Sequence, residues 1–124
     1  MPQDSRQTYF YRLGSRAVIE AFKEKGLEVV EVTPGLTIGA VAAKESVIFL
    51  LPSYGSDIGG VVSAYDSEDK LDESAGYYSS MNKDPGPPAW RIFRKGNILL
   101  LISGRVSEEK AREYERVLKE MGEK

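Results

Sequence analysis

The apolar positions along the chain change their period several times, and each change marks an element. Leu13, Ala17, Val18, Ala21 and Phe22 recur at helical spacing, with Arg16, Glu20, Lys23 and Glu24 on the opposite side. Gly26 ends this predicted helix, because glycine adopts the left-handed cap conformation and lets Leu27 fold back on the last turn. Glu28–Thr33 is short and β-branched, which predicts a strand closed by the turn pair Pro34-Gly35. Leu36–Ala43 fits neither template, being rich in Ala and Gly for a strand and short for a helix. Val47–Leu51 is continuously apolar, as a buried central strand would be, and Pro52 stops it.

One arrangement then occurs twice. Val47–Leu51 and Val61–Tyr65 lead into Ser67-Glu68-Asp69-Lys70, and Trp90–Arg94 and Ile98–Ser103 lead into Ser107-Glu108-Glu109-Lys110. In both copies serine reads as a helix cap followed by first-turn acids. The first of these helices puts Leu71, Ala75 and Tyr78 on one side, with Ser74 and Met81 nearby, and Gly76 weakens it by about 1 kcal/mol relative to alanine. The second carries an unbroken stripe of Ala111, Tyr114, Val117, Leu118 and Met121. Its Glu108/Arg112 and Glu115/Lys119 pairs stand at i,i+4 in the favourable order. Asn82–Ala89, with three prolines and a glycine, reads as a connection, and Lys95-Gly96-Asn97 as a hairpin turn.

These elements predict a single α+β domain over residues 1–124, with residues 1–8 a polar, disordered lead-in. The expected architecture is a mostly antiparallel sheet of about five strands in a ββα-ββα core. Both later helices are expected on one face, and the N-terminal helix at an edge or beside them.

Composition narrows the chemistry. With 41% apolar and 29% charged residues, the 124-residue chain is of the globular, soluble class and long enough for one core. It contains neither cysteine nor histidine. That rules out disulfides, thiolate ligands and cysteine nucleophiles, and removes the commonest general base. No apolar run reaches the length of a membrane span, and no signal-peptide pattern is present. The net charge of −2 gives no global attraction to nucleic acid. Charge is unevenly spread, however, with residues 27–66 at −4 and residues 85–124 at +3.

The candidate motifs weigh toward structure. Gly55-Ser56-Asp57-Ile58-Gly59-Gly60 lacks the Gly-Lys-Ser/Thr ending of a phosphate loop and runs into a strand, so it reads as a flexible connection. Asp57, Asp66, Asp69, Asp72 and Glu73 follow no calcium-loop order. Ser67–Lys70 and Ser107–Lys110 both match the letters S-x-x-K, and helix starts explain both. Strand alternation puts Trp90, Ile92 and Arg94 on one face and Arg91, Phe93 and Lys95 on the other. A continuous stacking platform therefore does not form from this strand alone, and core packing of Trp90 is favoured.

The stretches Ala21–Glu28, Phe49–Ser53 with Gly59-Gly60, Tyr65–Leu71 with Tyr77-Tyr78, Trp90–Ile102 and Ser107–Glu115 are the most distinctive of the chain. Together they resemble a family of small exported proteins of Gram-positive bacteria, often lipoproteins. The resemblance implies an extracytoplasmic location, membrane-tethered in the full-length form, although the lipid-modified cysteine of such proteins is missing here; a cytoplasmic location is the alternative. It brings no activity with it.

The functional expectation is a non-enzymatic interaction or accessory domain, with no cofactor and no metal, that meets a protein or cell-envelope ligand at the sheet edge or at the Tyr54–Gly60 loop. The alternative is a binder of small, envelope-derived or sugar-like molecules through an aromatic surface, with Tyr54, Asp57, Tyr78, Trp90 and Arg91 as candidate ligand-binding residues. Nucleic-acid binding through Arg91, Arg94, Lys95 and Arg105 ranks last, because the chain is acidic. Sequence leaves the oligomeric state open.

Overall fold

Five successive residues, Ile98 to Ile102, are buried, and this continuous run determines how the layers are arranged. A strand apolar on both faces needs cover on both. In the computed structural model, which describes residues 13–34, 45–56, 58–82 and 89–121, that cover comes from helices on opposite sides of one antiparallel sheet. The strands are β1 (Val30–Pro34), β2 (Glu45–Leu50), β3 (Gly59–Ala64), β4 (Trp90–Lys95) and β5 (Ile98–Ser103), in the order β1-β2-β3-β5-β4. The helices are α1 (Ser15–Glu24), α2 (Glu68–Ser79) and α3 (Glu108–Glu120).

The α+β class and the antiparallel sheet agree with the sequence, but the placement of the helices does not. α1 and α3 share one face, where Val18, Ile19, Phe22, Ala111, Tyr114, Val117 and Leu118 pack on Val47, Phe49, Val62, Ile98, Leu100 and Ile102. α2 lies on the other face, with Leu71 and Tyr78 against Val61, Leu99 and Leu101. The expectation of both later helices on one face therefore fails. The odd and even positions of β5 are equally apolar, so a single helical layer would leave Leu99 and Leu101 in water.

Local chemistry fixes the ends of α1. Gly26, at φ +79°, donates to Lys23 O, and Leu27 donates to Phe22 O at 3.0 Å, the paired bonds of a glycine cap. The predicted apolar face of α1 is rotated slightly, because Ile19 is buried and Ala17 is exposed. At the other end Glu45 accepts from Ser15 N and Ser15 Oγ, which fastens the helix start to β2. Asn97 is fully buried and brackets Leu13, accepting from its N–H at 2.9 Å and donating to its carbonyl at 2.8 Å.

The two serine-led helix starts differ. Ser107 accepts from Lys110 N at 3.1 Å, whereas Ser67 occupies the cap position of α2 without a side-chain capping bond. Gly59 and Gly60 belong to β3, so the second half of the glycine-rich connection is sheet. A Cβ at Gly60 would lie 2.1 Å from Leu101 O and 2.8 Å from the Phe49 ring, and close packing therefore requires glycine here. Residues 1–8, Leu36–Ala43, Asp57 and 83–88 of the proline-rich connection lie outside the described residues.

Candidate functional site

The polar side chains within the fold are tied into it. Glu28 accepts from Ser53 N and Ser53 Oγ, and its own carbonyl accepts from Tyr114 OH. Beneath α2, Ser46 and Ser63 share a buried hydroxyl hydrogen bond of 2.9 Å across β2 and β3, and Tyr65 bonds to Ser63 and Ser74. Burial pushes the Tyr65 phenol up, and these two hydrogen bonds act against it. Burial likewise raises Tyr114, with Glu28 adding to the effect. Among the described residues no buried side-chain nitrogen or oxygen lacks a partner, and no three acids gather as a metal site would need.

Three of the four cations behind the nucleic-acid reading, Arg91, Arg94 and Lys95, are also engaged. Arg91 Nε donates to Val106 O at 2.7 Å, and Lys95 Nζ donates to Lys119 O at 2.7 Å, where it meets the carbonyl end of α3. Arg94 pairs with Asp72 of α2. On α3, Arg112 pairs with Glu108 and Glu115, holding the Glu108 carboxyl below its ordinary range by hydrogen bond and charge. An open furrow of about 510 Å³ runs between Arg112, Glu115, Arg116, Lys119 and Glu120. All five belong to one helix, so among the described residues the furrow has no opposing wall.

Aromatic side chains converge at the junction of α2 and β4. Tyr77 and Tyr78 meet edge to face at 5.1 Å, and Tyr78 meets Trp90 the same way at 6.0 Å. Tyr78 is buried at the base of this row, Trp90 is half-buried, and Tyr77 is 41% exposed. Met81, in the short 3-10 turn that follows α2, is 42% exposed. Burial pushes the Tyr78 phenol up to about 12, and the neighbouring Tyr65 and Tyr77 add to this. Tyr78 is therefore neutral at physiological pH. Tyr77 and Met81 form the exposed end of this corner.

No known protein family matches this chain, nor does any characterised protein or solved structure. The candidate site rests on geometry.

Of the sequence candidates, Tyr78 and Trp90 come together. Tyr54 lies in the turn after β2, near Tyr114 and hence toward the α1/α3 side. Arg91 is on that same side, bonded to the loop before α3. Asp57 is outside the described residues. Trp90 lines the rim of the smaller cluster instead of filling the core, because β4 is an edge strand.

That edge is the feature the sequence reading left undeveloped. Lys95 pairs with Ile98 across a two-residue turn, so Arg91, Phe93 and Lys95 direct their backbone groups to β5. Trp90, Ile92 and Arg94 direct theirs outward. Asn82 seals Trp90, donating to its carbonyl at 2.8 Å and accepting from its N–H at 3.1 Å. Ile92 and Arg94 have no such cover among the described residues. The signal was in the sequence, since Gly96-Asn97 sets the hairpin phase, but strand order was needed to show that β4 is terminal.

Proposed function

We propose that this chain is a non-enzymatic interaction domain that meets a protein or cell-envelope partner at the corner of α2 and β4. The observation that carries this reading is the aromatic row that runs from buried Tyr78 through half-buried Trp90 to exposed Tyr77, with exposed Met81, beside a terminal strand. Clustered aromatic side chains at a surface supply contact area at little entropic cost, and a flexible methionine adapts to the shape it meets. Side chains that could have formed a reactive centre instead hold the fold: Glu28, Glu45, Asn97, Arg91 and the hydroxyls beneath α2. The test is a panel of ester, phosphate, peptide and glycoside substrates. No saturable turnover is expected. Saturable hydrolysis that Ser67→Ala or Asp72→Asn abolishes overturns the reading.

Trp90 supports a second reading, a binder of sugar-like molecules, because a half-buried indole beside an exposed tyrosine suits carbohydrate stacking. Trp90 is the single tryptophan of the chain, so its fluorescence reports this site alone. The interaction reading expects no saturable change with envelope-derived oligosaccharides, and a saturable change favours the binder. An extracytoplasmic setting belongs to the same proposal, supported by the resemblance of Tyr65–Leu71 and Ser107–Glu115 to exported proteins. Fractionation of cells producing the full gene product tests it.

A further inference from the structure

The two ends of the sheet differ in how they treat the backbone. β1 ends in Pro34, and its register on β2 is broken between Glu31 and Pro34, both devices that stop a further strand from pairing. β4 has neither. Its six residues pair with β5 without a bulge, and Ile92 and Arg94 leave two N–H and two C=O groups directed outward. Asn82 already shows how this edge is recognised, because its amide bonds Trp90 as a neighbouring strand would.

The side chains around the open groups are basic. Arg91 and Lys95 lie on the α3 side of β4 and Arg94 on the α2 side, in a segment (residues 85–124) of net charge +3. Self-pairing is disfavoured for the same reason. The one two-fold register that uses both open residues pairs Ile92 with Arg94 of a second copy. It then sets Arg91 directly opposite Lys95 of that copy, twice, and like charges directly opposed destabilise a strand pair.

Building on the interaction reading above, we infer that the β4 edge accepts an extended acidic segment of another protein by strand addition, hydrogen-bonded to the backbones of Ile92 and Arg94. Main-chain bonds supply the attachment, and alternate acidic side chains fall on the α3 side beside Arg91 and Lys95, since Arg94 on the other side already pairs with Asp72. The aromatic corner lies at the Trp90 end of the added strand, where Asn82 terminates the pairing.

The experiment uses nitrogen-15-labelled protein and two capped peptides, one of four Val-Glu repeats and one of four Val-Lys repeats. The Val-Glu peptide is expected to shift the Ile92 and Arg94 amide resonances saturably and to slow their hydrogen exchange. The Val-Lys peptide is expected to bind about tenfold more weakly, from the summed cross-strand charge pairs. N-methylation of one alternate set of peptide amides should abolish binding, while methylation of the other set leaves it, because only one set faces β4. Arg94→Pro deletes an outward N–H without breaking the β4–β5 ladder and should lose the response, whereas Arg94→Ala should keep most of it. Equal binding of the two peptides, binding of neither, or binding that survives both methylations overturns strand addition. Concentration-dependent self-association that protects the two amides names a second copy as occupant and also overturns it. Shifts confined to Tyr77, Tyr78 and Trp90 sink strand addition and leave the interaction reading standing, whereas turnover in the substrate panel sinks that reading.

Discussion

The two faces of the sheet are built to different standards. On one, α1 and α3 enclose Phe22, Phe49 and Tyr114, whose rings lie 5.0–6.2 Å apart and are all buried. On the other, α2 is the one covering helix among the described residues, and it buries Leu71, Ser74 and Tyr78 over a partly hydroxylic interior. Val30, Tyr77 and Met81 remain 41–48% exposed. Aromatic packing in a closed layer contributes more than single-helix cover over polar atoms. The first face anchors the fold, and the second carries the surface that can meet something else.

Truncation in each layer gives the largest contrast. Phe49→Ala should destabilise by about 3–5 kcal/mol, and Leu71→Ala by about 2–3 kcal/mol, because the single-helix layer can collapse around the smaller cavity. Chemical denaturation measures both, and equal losses would break the comparison.

Alkaline titration comes next. Tyr78 keeps its proton to about 12 in the folded state against 10.0 for an unperturbed phenol, and Tyr65 is also raised. From about pH 10 the unfolded chain therefore binds fewer protons than the folded one, and stability falls as pH rises. The stabilisation from Tyr78 is complete below pH 10 and lost as pH rises through about 12, and Tyr65 acts in the same direction. Phenolate absorbance against pH should show delayed ionisation that coincides with unfolding, and Tyr78→Phe should shift that transition upward.

The helix caps give a smaller contrast. Ser107→Ala should cost about 1 kcal/mol, whereas Ser67→Ala should cost nearly nothing, since only Ser107 makes a capping bond. Smallest is a gain. Gly76→Ala should stabilise α2 by about 0.5–1 kcal/mol, because a Cβ there meets no atom within 4 Å. A rise in thermal midpoint checks it.

Local patterns were legible in the sequence where the chain's own neighbours decide them. The Gly26 cap, the apolar stripe of α3, the Glu108/Arg112 and Glu115/Lys119 pairs and the alternation along β4 all agree with the structure. Tertiary choices were not legible. Ser67 and Ser107 carry the same letters, yet only one bonds its helix, because cap geometry depends on the preceding chain path. The placement of α2 on the far face was implied by Leu99 and Leu101, which alternate with Ile98, Leu100 and Ile102, but a continuous apolar run gives no face to a particular helix. Asn97 looked like a turn residue and proved to be the clasp for Leu13, eighty-four residues away. Of the candidate site, the Tyr78–Trp90 contact and the open edge both required the strand order.

Native-state hydrogen exchange along β4 decides whether this edge is open, with no ligand needed. Arg91, Phe93 and Lys95 should be protected as strongly as β5, while Ile92 and Arg94 exchange orders of magnitude faster, in strict alternation. Uniform protection of all five amides would mean that the edge is already covered, and the account of this strand as a docking edge would be contradicted.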